Sequence, residues 1–317
     1  MRSVQVERIG YIRASSVAEA VTLLNEPGLK SRPLAGGTDL VLLLRTDSPI
    51  CDRVVDISLI PELHRIYRHG DRVTIGAAAS FSEVMASSSV AETAPVLVQA
   101  CRQVGAVQIR NMGTLGGNVA NAAACADSLP ALVCLDAIAH VVTPQGSHEW
   151  PVSELVSGPN RTIIPAGGLL VSLSYQVPLP GSRSVFLKLG RRNAMAISRL
   201  TVAALGRLDS AGRIAEARLV LGSATPQIRR STVVEDGLLG QVPGHELYRS
   251  AARLAADEMA RLAGRRWSSE YKEPALMAMT ARALACVFDG MDEENTNACT
   301  RGAAPGGTNW TNHTNFP

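Results

Sequence analysis

Residues 33–40 read PLAGGTDL, an apolar approach that stops at the adjacent glycines Gly36 and Gly37 before an apolar run resumes at Leu40–Leu44. Adjacent glycines let the backbone take positive φ and approach another group with no Cβ in the way. A second glycine-rich stretch, QIRNMGTLGGNVANAAACADSLPAL at 108–132, follows roughly eighty residues later. There Gly113, Gly116 and Gly117 read as helix breakers, and the small residues from Ala120 to Ala126 leave room for a bulky group against the chain. Either stretch alone reads as a tight turn. Together, each leaving a strand-like run, they predict two loops whose backbone N–H groups converge on one anion. A pyrophosphate suits such a site, because peptide donors can neutralise it without a lysine, and neither loop contains one.

Spacing excludes the two commonest phosphate motifs. A P-loop requires G-x-x-x-x-G-K-[ST], and no glycine of this chain is followed by lysine and a hydroxyl residue in that frame. A Rossmann fingerprint requires G-x-G-x-x-G, whereas Gly113, Gly116 and Gly117 give G-x-x-G-G. A dinucleotide site of another design is expected.

Composition narrows the class. With 317 residues, 46% hydrophobic and 19% charged, the chain has the balance of a globular protein of two or three domains. Its net charge of +3 has no concentrated basic face to argue for nucleic acid. The N-terminus MRSVQVERIGYIRASS lacks an apolar signal core, and no window holds the roughly eighteen apolar residues of a membrane span, so a cytoplasmic protein with no membrane attachment is expected. The six cysteines at 51, 101, 125, 134, 286 and 299 are too scattered for a disulfide framework, an iron–sulfur centre or zinc, and read as buried or free thiols. The six histidines show no metal-ligand spacing.

Along the chain, Ser16–Leu24 reads as a helix with Ser16 and Glu19 at capping-box spacing, and Gly28 marks its end. Arg32–Ala35, 53–58 and 72–78 read as strands, Ser80 with Glu83 opens a further helix, and 91–106 has helical spacing. LPALVCLDA and IAHVVT then read as a helix and a strand. Pro178, Pro180 and Gly181 mark a boundary, so that 1–178 forms one domain. Beyond it Val185–Leu189, Ala196–Leu208 and Ile214–Leu221 read as strands, followed by helices at Glu246–Leu262 and Pro274–Phe288. Strands and then helices, segregated in sequence, predict a separate α+β domain at 179–288. The Asn-, Thr- and Gly-rich tail at 289–317 reads as disordered.

PLAGGTDL, QIRNMGTLGGN with Asp127 downstream, and FLKLGRRNAMAIS at 186–198 together resemble the FAD-binding medium subunit of molybdenum hydroxylases, the group containing xanthine dehydrogenase and carbon monoxide dehydrogenase. The similarity runs from the first helix to about Phe288. It implies an α+β fold of the p-cresol methylhydroxylase and vanillyl-alcohol oxidase type: two α+β subdomains clasping FAD, followed by a small α+β C-terminal domain. Carried over by position, it implies that Ala35, Gly36, Gly37, Thr38 and Asp39 cradle the FAD phosphates, with Thr114, Leu115, Gly116, Gly117 and Asn118 as the opposing loop. Asp127 would accept from a sugar or ribityl hydroxyl, Leu169 would pack near the ring system, and Leu187 and Lys188 would line the isoalloxazine side. The residues themselves leave alternatives. Asp127 also suits a helix N-cap, Lys188 a solvated edge-strand lysine, Leu169 an ordinary core position, and Arg110 either a phosphate contact or a surface ion pair. Arg191 and Arg192 either attract an anionic acceptor or are solvated.

The resemblance further implies a division of labour. A molybdopterin-binding large subunit hydroxylates the substrate, a small subunit with two 2Fe-2S clusters relays electrons to FAD, and the flavin passes them to NAD+ or another acceptor, in an assembly expected to be a dimer of heterotrimers. No residue of this chain is expected to act as nucleophile, general base or metal ligand. No cysteine-rich insertion lies between Gly117 and Pro178, which disfavours relatives carrying an extra cluster there. Two rival readings remain: a stand-alone flavin reductase of the same superfamily, such as UDP-N-acetylenolpyruvylglucosamine reductase, and a flavin-free scaffold subunit.

Overall fold

The computed structural model describes residues 9–45, 50–192, 195–265 and 267–291. The tail expected to be disordered lies, from residue 292 onward, outside them.

The N-terminal part opens with a parallel sheet. Strand β1 (Gly10–Arg13) leads through helix α1 (Val17–Leu24) to β2 (Ser31–Leu34), and the chain passes through α2 (Leu40–Leu44) to β3 (Arg53–Asp56), which lies between the other two. Helix α1 starts where the Ser16 hydroxyl accepts from the Glu19 amide at 3.2 Å. The Glu19 carboxylate reaches Ser15 rather than Ser16, so the reciprocal half of the expected capping box is displaced by one residue. Asp56 ties the sheet together, accepting from Arg13 at 3.0 Å, from the Ser58 amide at 2.9 Å and from the Tyr11 hydroxyl.

A five-stranded antiparallel sheet follows. Its strands are β4 (Ile66–His69), β5 (Arg72–Gly76), β6 (Ile138–Thr143), β7 (Gly146–Pro151) and, after the small β8 (Val156–Gly158) and β9 (Arg161–Thr162) ribbon, β10 (Leu169–Gln176), in the order β4-β5-β10-β6-β7. Between β5 and β6 run α3 (Phe81–Ala86), α4 (Ser88–Thr93), α5 (Pro95–Arg102), α6 (Val107–Met112), α7 (Leu115–Asn121) and α8 (Ser128–Cys134); α9 (Val152–Leu155) follows β7. The capping box of Ser80 and Glu83 is complete at the start of α3. The single helical pattern expected at 91–106 is divided in two, because Pro95 cannot donate to the preceding turn and instead occupies the first turn of α5. These helices cover one face of the sheet and bury Val73, Ile75, Leu97, Leu132 and Leu173. Near the other face, Val55, Ile57 and Leu63 join Leu169 in a second cluster that seats the parallel sheet.

The C-terminal part is an antiparallel sheet of β11 (Arg183–Leu189), β12 (Leu200–Leu208) and β13 (Ile214–Gly222), followed by α10 (Thr232–Leu238), α11 (His245–Ala263) and α12 (Ser269–Phe288). Strand residues alternate between faces. Val185, Leu187, Val202, Ala204, Leu219 and Leu221 pack with α11 and α12, whereas Phe186, Ala203, Leu205 and Val220 join the core of the N-terminal part. Burial on both faces accounts for the unbroken apolar run in β12. An ionic cluster reinforces the junction, with Arg218 and Arg230 each 2.9 Å from Asp136. The two parts therefore share a core.

Cys51, Cys101, Cys125 and Cys134 are free thiols. Among the described residues no helix is long and apolar enough to cross a membrane, and no group of His, Cys, Asp and Glu has the arrangement of a metal site.

Candidate functional site

The two glycine loops meet. A Cβ built on Gly36 would lie 1.7 Å from the Met112 carbonyl oxygen and 3.1 Å from the Gly113 Cα, so the first loop presses its bare backbone against the entry to the second. The close approach that Gly36 permits is thus to the chain itself. Gly37 has φ +71°, a left-handed conformation that reverses the chain between β2 and α2.

Hydrogen bonding then separates the loops. Among the described residues, the amides of Gly36, Gly37, Thr38, Asp39 and Leu40 have no protein acceptor. Ala35 precedes this run and Thr38 lies within it, both partly exposed, and the Asp39 carboxylate makes no cap bond to α2. In the second loop, by contrast, Leu115 donates to Ala79 at 2.9 Å, Gly116 to Ala77 at 2.9 Å, Gly117 to the Thr114 hydroxyl at 3.0 Å and Asn118 to the Thr114 carbonyl at 3.0 Å. Residues 115–118 therefore form the start of α7 rather than a helix break. Thr114 caps that helix, and the missing Cβ of Gly116 makes space for Ala77, whose Cα would otherwise lie 2.7 Å away. The two loops therefore differ in the amides they leave open: five in succession in the first, and in the second that of Thr114, with those of Leu115–Asn118 occupied.

A buried ionic constellation lies between the two parts of the chain. Asp127 accepts from Lys188 Nζ at 2.6 Å through Oδ2, and from the Ser198 hydroxyl through Oδ1. Lys188 also donates to the Gln103 carbonyl at 2.9 Å. Asp127 stands just before α8 but makes no cap bond, so the N-cap reading fails. Lys188 is on the edge strand β11, yet its side chain is only 7% exposed, so the solvated reading fails as well. Burial raises the Asp127 carboxyl above the usual range, against the attraction of Lys188 and the hydrogen bonds from Lys188 and Ser198. Burial likewise raises the neighbouring Cys125 thiol.

Residues 5–180 match the family model described as the FAD binding domain in molybdopterin dehydrogenase. The chain belongs to this family. Residues 185–287 match the CO dehydrogenase flavoprotein C-terminal domain. The chain is 29% identical to the glyceraldehyde dehydrogenase medium chain of Sulfolobus acidocaldarius, over 86% of this chain and 96% of that one. It is also 29% identical to the xanthine dehydrogenase FAD-binding subunit of Escherichia coli, over 87% and 94% respectively. The crystal structure of the Cu,Mo-CO dehydrogenase in its cyanide-inactivated form contains a chain that superposes with a TM-score of 0.83 at 26% identity, covering 89% of this chain and 98% of that one. The mixed α and β architecture, an FAD-binding domain followed by a C-terminal flavoprotein domain, is the one these relatives share. The protein is an FAD-binding oxidoreductase subunit of the molybdopterin dehydrogenases.

Within this FAD-binding family framework, two of the residues carried over from the resemblance have side chains in packed cores. Leu169 is 2% exposed, in the cluster that seats the parallel sheet on the FAD domain. Leu187 is 4% exposed and faces α11 and α12, because strand alternation turns it away from the face that Lys188 presents to Asp127. Arg110 makes neither of its expected contacts; it donates to the Val104 and Gly105 carbonyls at 2.9 and 3.0 Å and closes the turn after α5. Arg191 and Arg192 are exposed, and Arg192 donates back to the Met195 carbonyl at 2.7 Å. Sequence reasoning missed Ser198 and Gln103. Ser198 ends the quoted motif FLKLGRRNAMAIS, and its hydroxyl among apolar neighbours was the available signal; a backbone carbonyl such as that of Gln103 leaves none.

Proposed function

We propose that the chain carries FAD within a molybdenum hydroxylase complex, taking electrons from the 2Fe-2S clusters of a small partner subunit and delivering them to NAD+ or another acceptor. A molybdopterin-binding large subunit performs the substrate chemistry, in a cytoplasmic dimer of heterotrimers. The observation that carries the cofactor assignment is the run of five unpartnered amides from Gly36 to Leu40. Consecutive N–H groups around a left-handed residue make a concavity that binds anions, and the FAD diphosphate is such an anion. When bound, FAD supplies the exchange between single-electron and paired-electron transfer.

The residues of the chain divide the remaining work. The Gly36–Leu40 amides hold the diphosphate, and Thr38 adds a hydroxyl donor. Asp39 is exposed and suits a sugar hydroxyl better than a phosphate, since two anions side by side repel. Thr114–Asn118 form the wall against which the first loop rests. Lys188, with two of its three donors on Asp127 and Gln103, places a buried ammonium on the side assigned to the isoalloxazine. The names of the relatives, a medium chain and an FAD-binding subunit, support a role as one component among several.

The test is titration of the purified full-length chain with FAD, followed by visible absorption and flavin fluorescence. Uptake of one FAD per chain, competed by inorganic pyrophosphate, is expected. Anaerobic addition of NADH should bleach the bound flavin if NAD+ is the acceptor. A chain that remains colourless with FAD, alone and with its partner subunits, would leave the scaffold reading standing.

A further inference from the structure

The connection from β11 to β12 is closed at its base, where Leu189 pairs with Leu200 and the Arg199 amide donates to the Leu189 carbonyl at 2.8 Å. Its two legs touch near the base, since a Cβ on Gly190 would lie 2.6 Å from the Ala196 Cβ. From each foot one side chain crosses to the same carboxylate in the FAD domain. Lys188 takes Asp127 Oδ2, and Ser198 takes Asp127 Oδ1. Ser198 is 7% exposed, and the Lys188 and Asp127 side chains are each 7% exposed, so water does not compete freely for these bonds. A carboxylate held through one oxygen can turn about its last side-chain torsion, which is broad and soft. A donor on the second oxygen removes that freedom.

We infer that Ser198 is a positioning residue of the flavin site: by holding the second oxygen of Asp127 it fixes the Lys188 ammonium and fastens the far foot of the loop bearing Arg191 and Arg192. The inference rests on the flavin reading given above. Ser198 itself touches no reacting atom, and its influence passes through Asp127.

The experiment compares the full-length wild-type chain with Ser198→Ala and Ser198→Thr. In the FAD-free chain, tryptic cleavage after Arg191 should be about fivefold faster for Ser198→Ala, corresponding to loss of one hydrogen bond at the loop base, with Ser198→Thr close to wild type. In the FAD-loaded chain at equilibrium with a redox dye, Ser198→Ala should shift the ratio of oxidised to reduced flavin about threefold toward the oxidised form, because a displaced ammonium stabilises added negative charge less well. Ser198→Thr should restore the ratio. Faster cleavage with an unchanged ratio overturns the inference and leaves Ser198 a purely structural tether. Wild-type behaviour of Ser198→Ala in both measurements overturns it entirely. A wild-type chain that takes up no FAD removes the functional reading and this inference together, and is recognised by the absence of a flavin spectrum.

Discussion

The two glycine loops look alike in sequence and are built for different ends. In the first, the glycine backbone is pressed against a neighbouring carbonyl while five successive amides stay without a protein partner. In the second, Gly116 and Gly117 lie inside a helix whose first amides bond to Ala77, Ala79 and Thr114. Leaving several polar groups open next to a packed core costs stability, and a site that does so is one prepared for a ligand. The second loop is the platform on which that site is set. Glycine in the first loop thus serves contact with the second and a turn, and on the function proposed above the anion would be held by the N–H groups that the turn exposes.

Substitutions at the close contacts would test this contrast most severely. Gly36→Ala drives a Cβ into the Met112 carbonyl and should cost about 3 kcal/mol or more, measured by chemical denaturation. Gly116→Ala, against Ala77, should cost about 2 kcal/mol. If either variant kept wild-type stability, the loop-to-loop packing described here would be wrong.

Acid should separate the loops by their supports. Asp56 is paired in register with Leu34, immediately before the first loop. Burial pushes the Asp56 carboxyl up, but hydrogen bonds from Ser58, Tyr11 and Arg13 outweigh it and bring the pKa down to about 2. A depressed carboxylate pKa stabilises the fold above its unfolded value and loses that contribution as pH falls through the folded value. About 2 kcal/mol should therefore disappear between roughly pH 4 and pH 2. Hydrogen exchange should report it first in β1, β2 and β3, and Asp56→Asn should abolish the slope over that window.

Smaller effects refine the same contrast. Gly37→Ala forces a side chain into a left-handed position at a cost of about 1–2 kcal/mol, and should weaken FAD binding about tenfold by disturbing the amide run. Thr114→Ala removes the cap on Gly117 and should cost about 1 kcal/mol. Its effect on FAD affinity, read by the same titration, should be no more than about twofold. An equal loss of affinity in the two variants would erase the distinction between site and platform.

Much of the architecture was legible because local signals agreed with the tertiary outcome. Ser80 and Glu83 announce a helix start that forms in full, and the alternation in IAHVVT matches the burial of β6. What the sequence did not show has a common cause. TLGGN reads as a helix break by propensity, yet Thr114, Ala77 and Ala79 supply partners that override it. Leu187 and Leu169 sit in motif-bearing stretches, but which way each points depends on strand register and on the elements packed above it.

From the sequence alone came part of the order of strands and helices, two glycine loops suited to close approach, and a resemblance strong enough to name a flavin as the ligand. Tertiary structure decided which amides remain open, that Gly36 meets Met112, and that Asp127, Lys188 and Ser198 join across the two parts of the chain. The reason is physical. Backbone conformation at a glycine is a local property written in residue type, whereas a hydrogen-bond partner 61 or 71 residues away exists only after the sheets have stacked and excluded water.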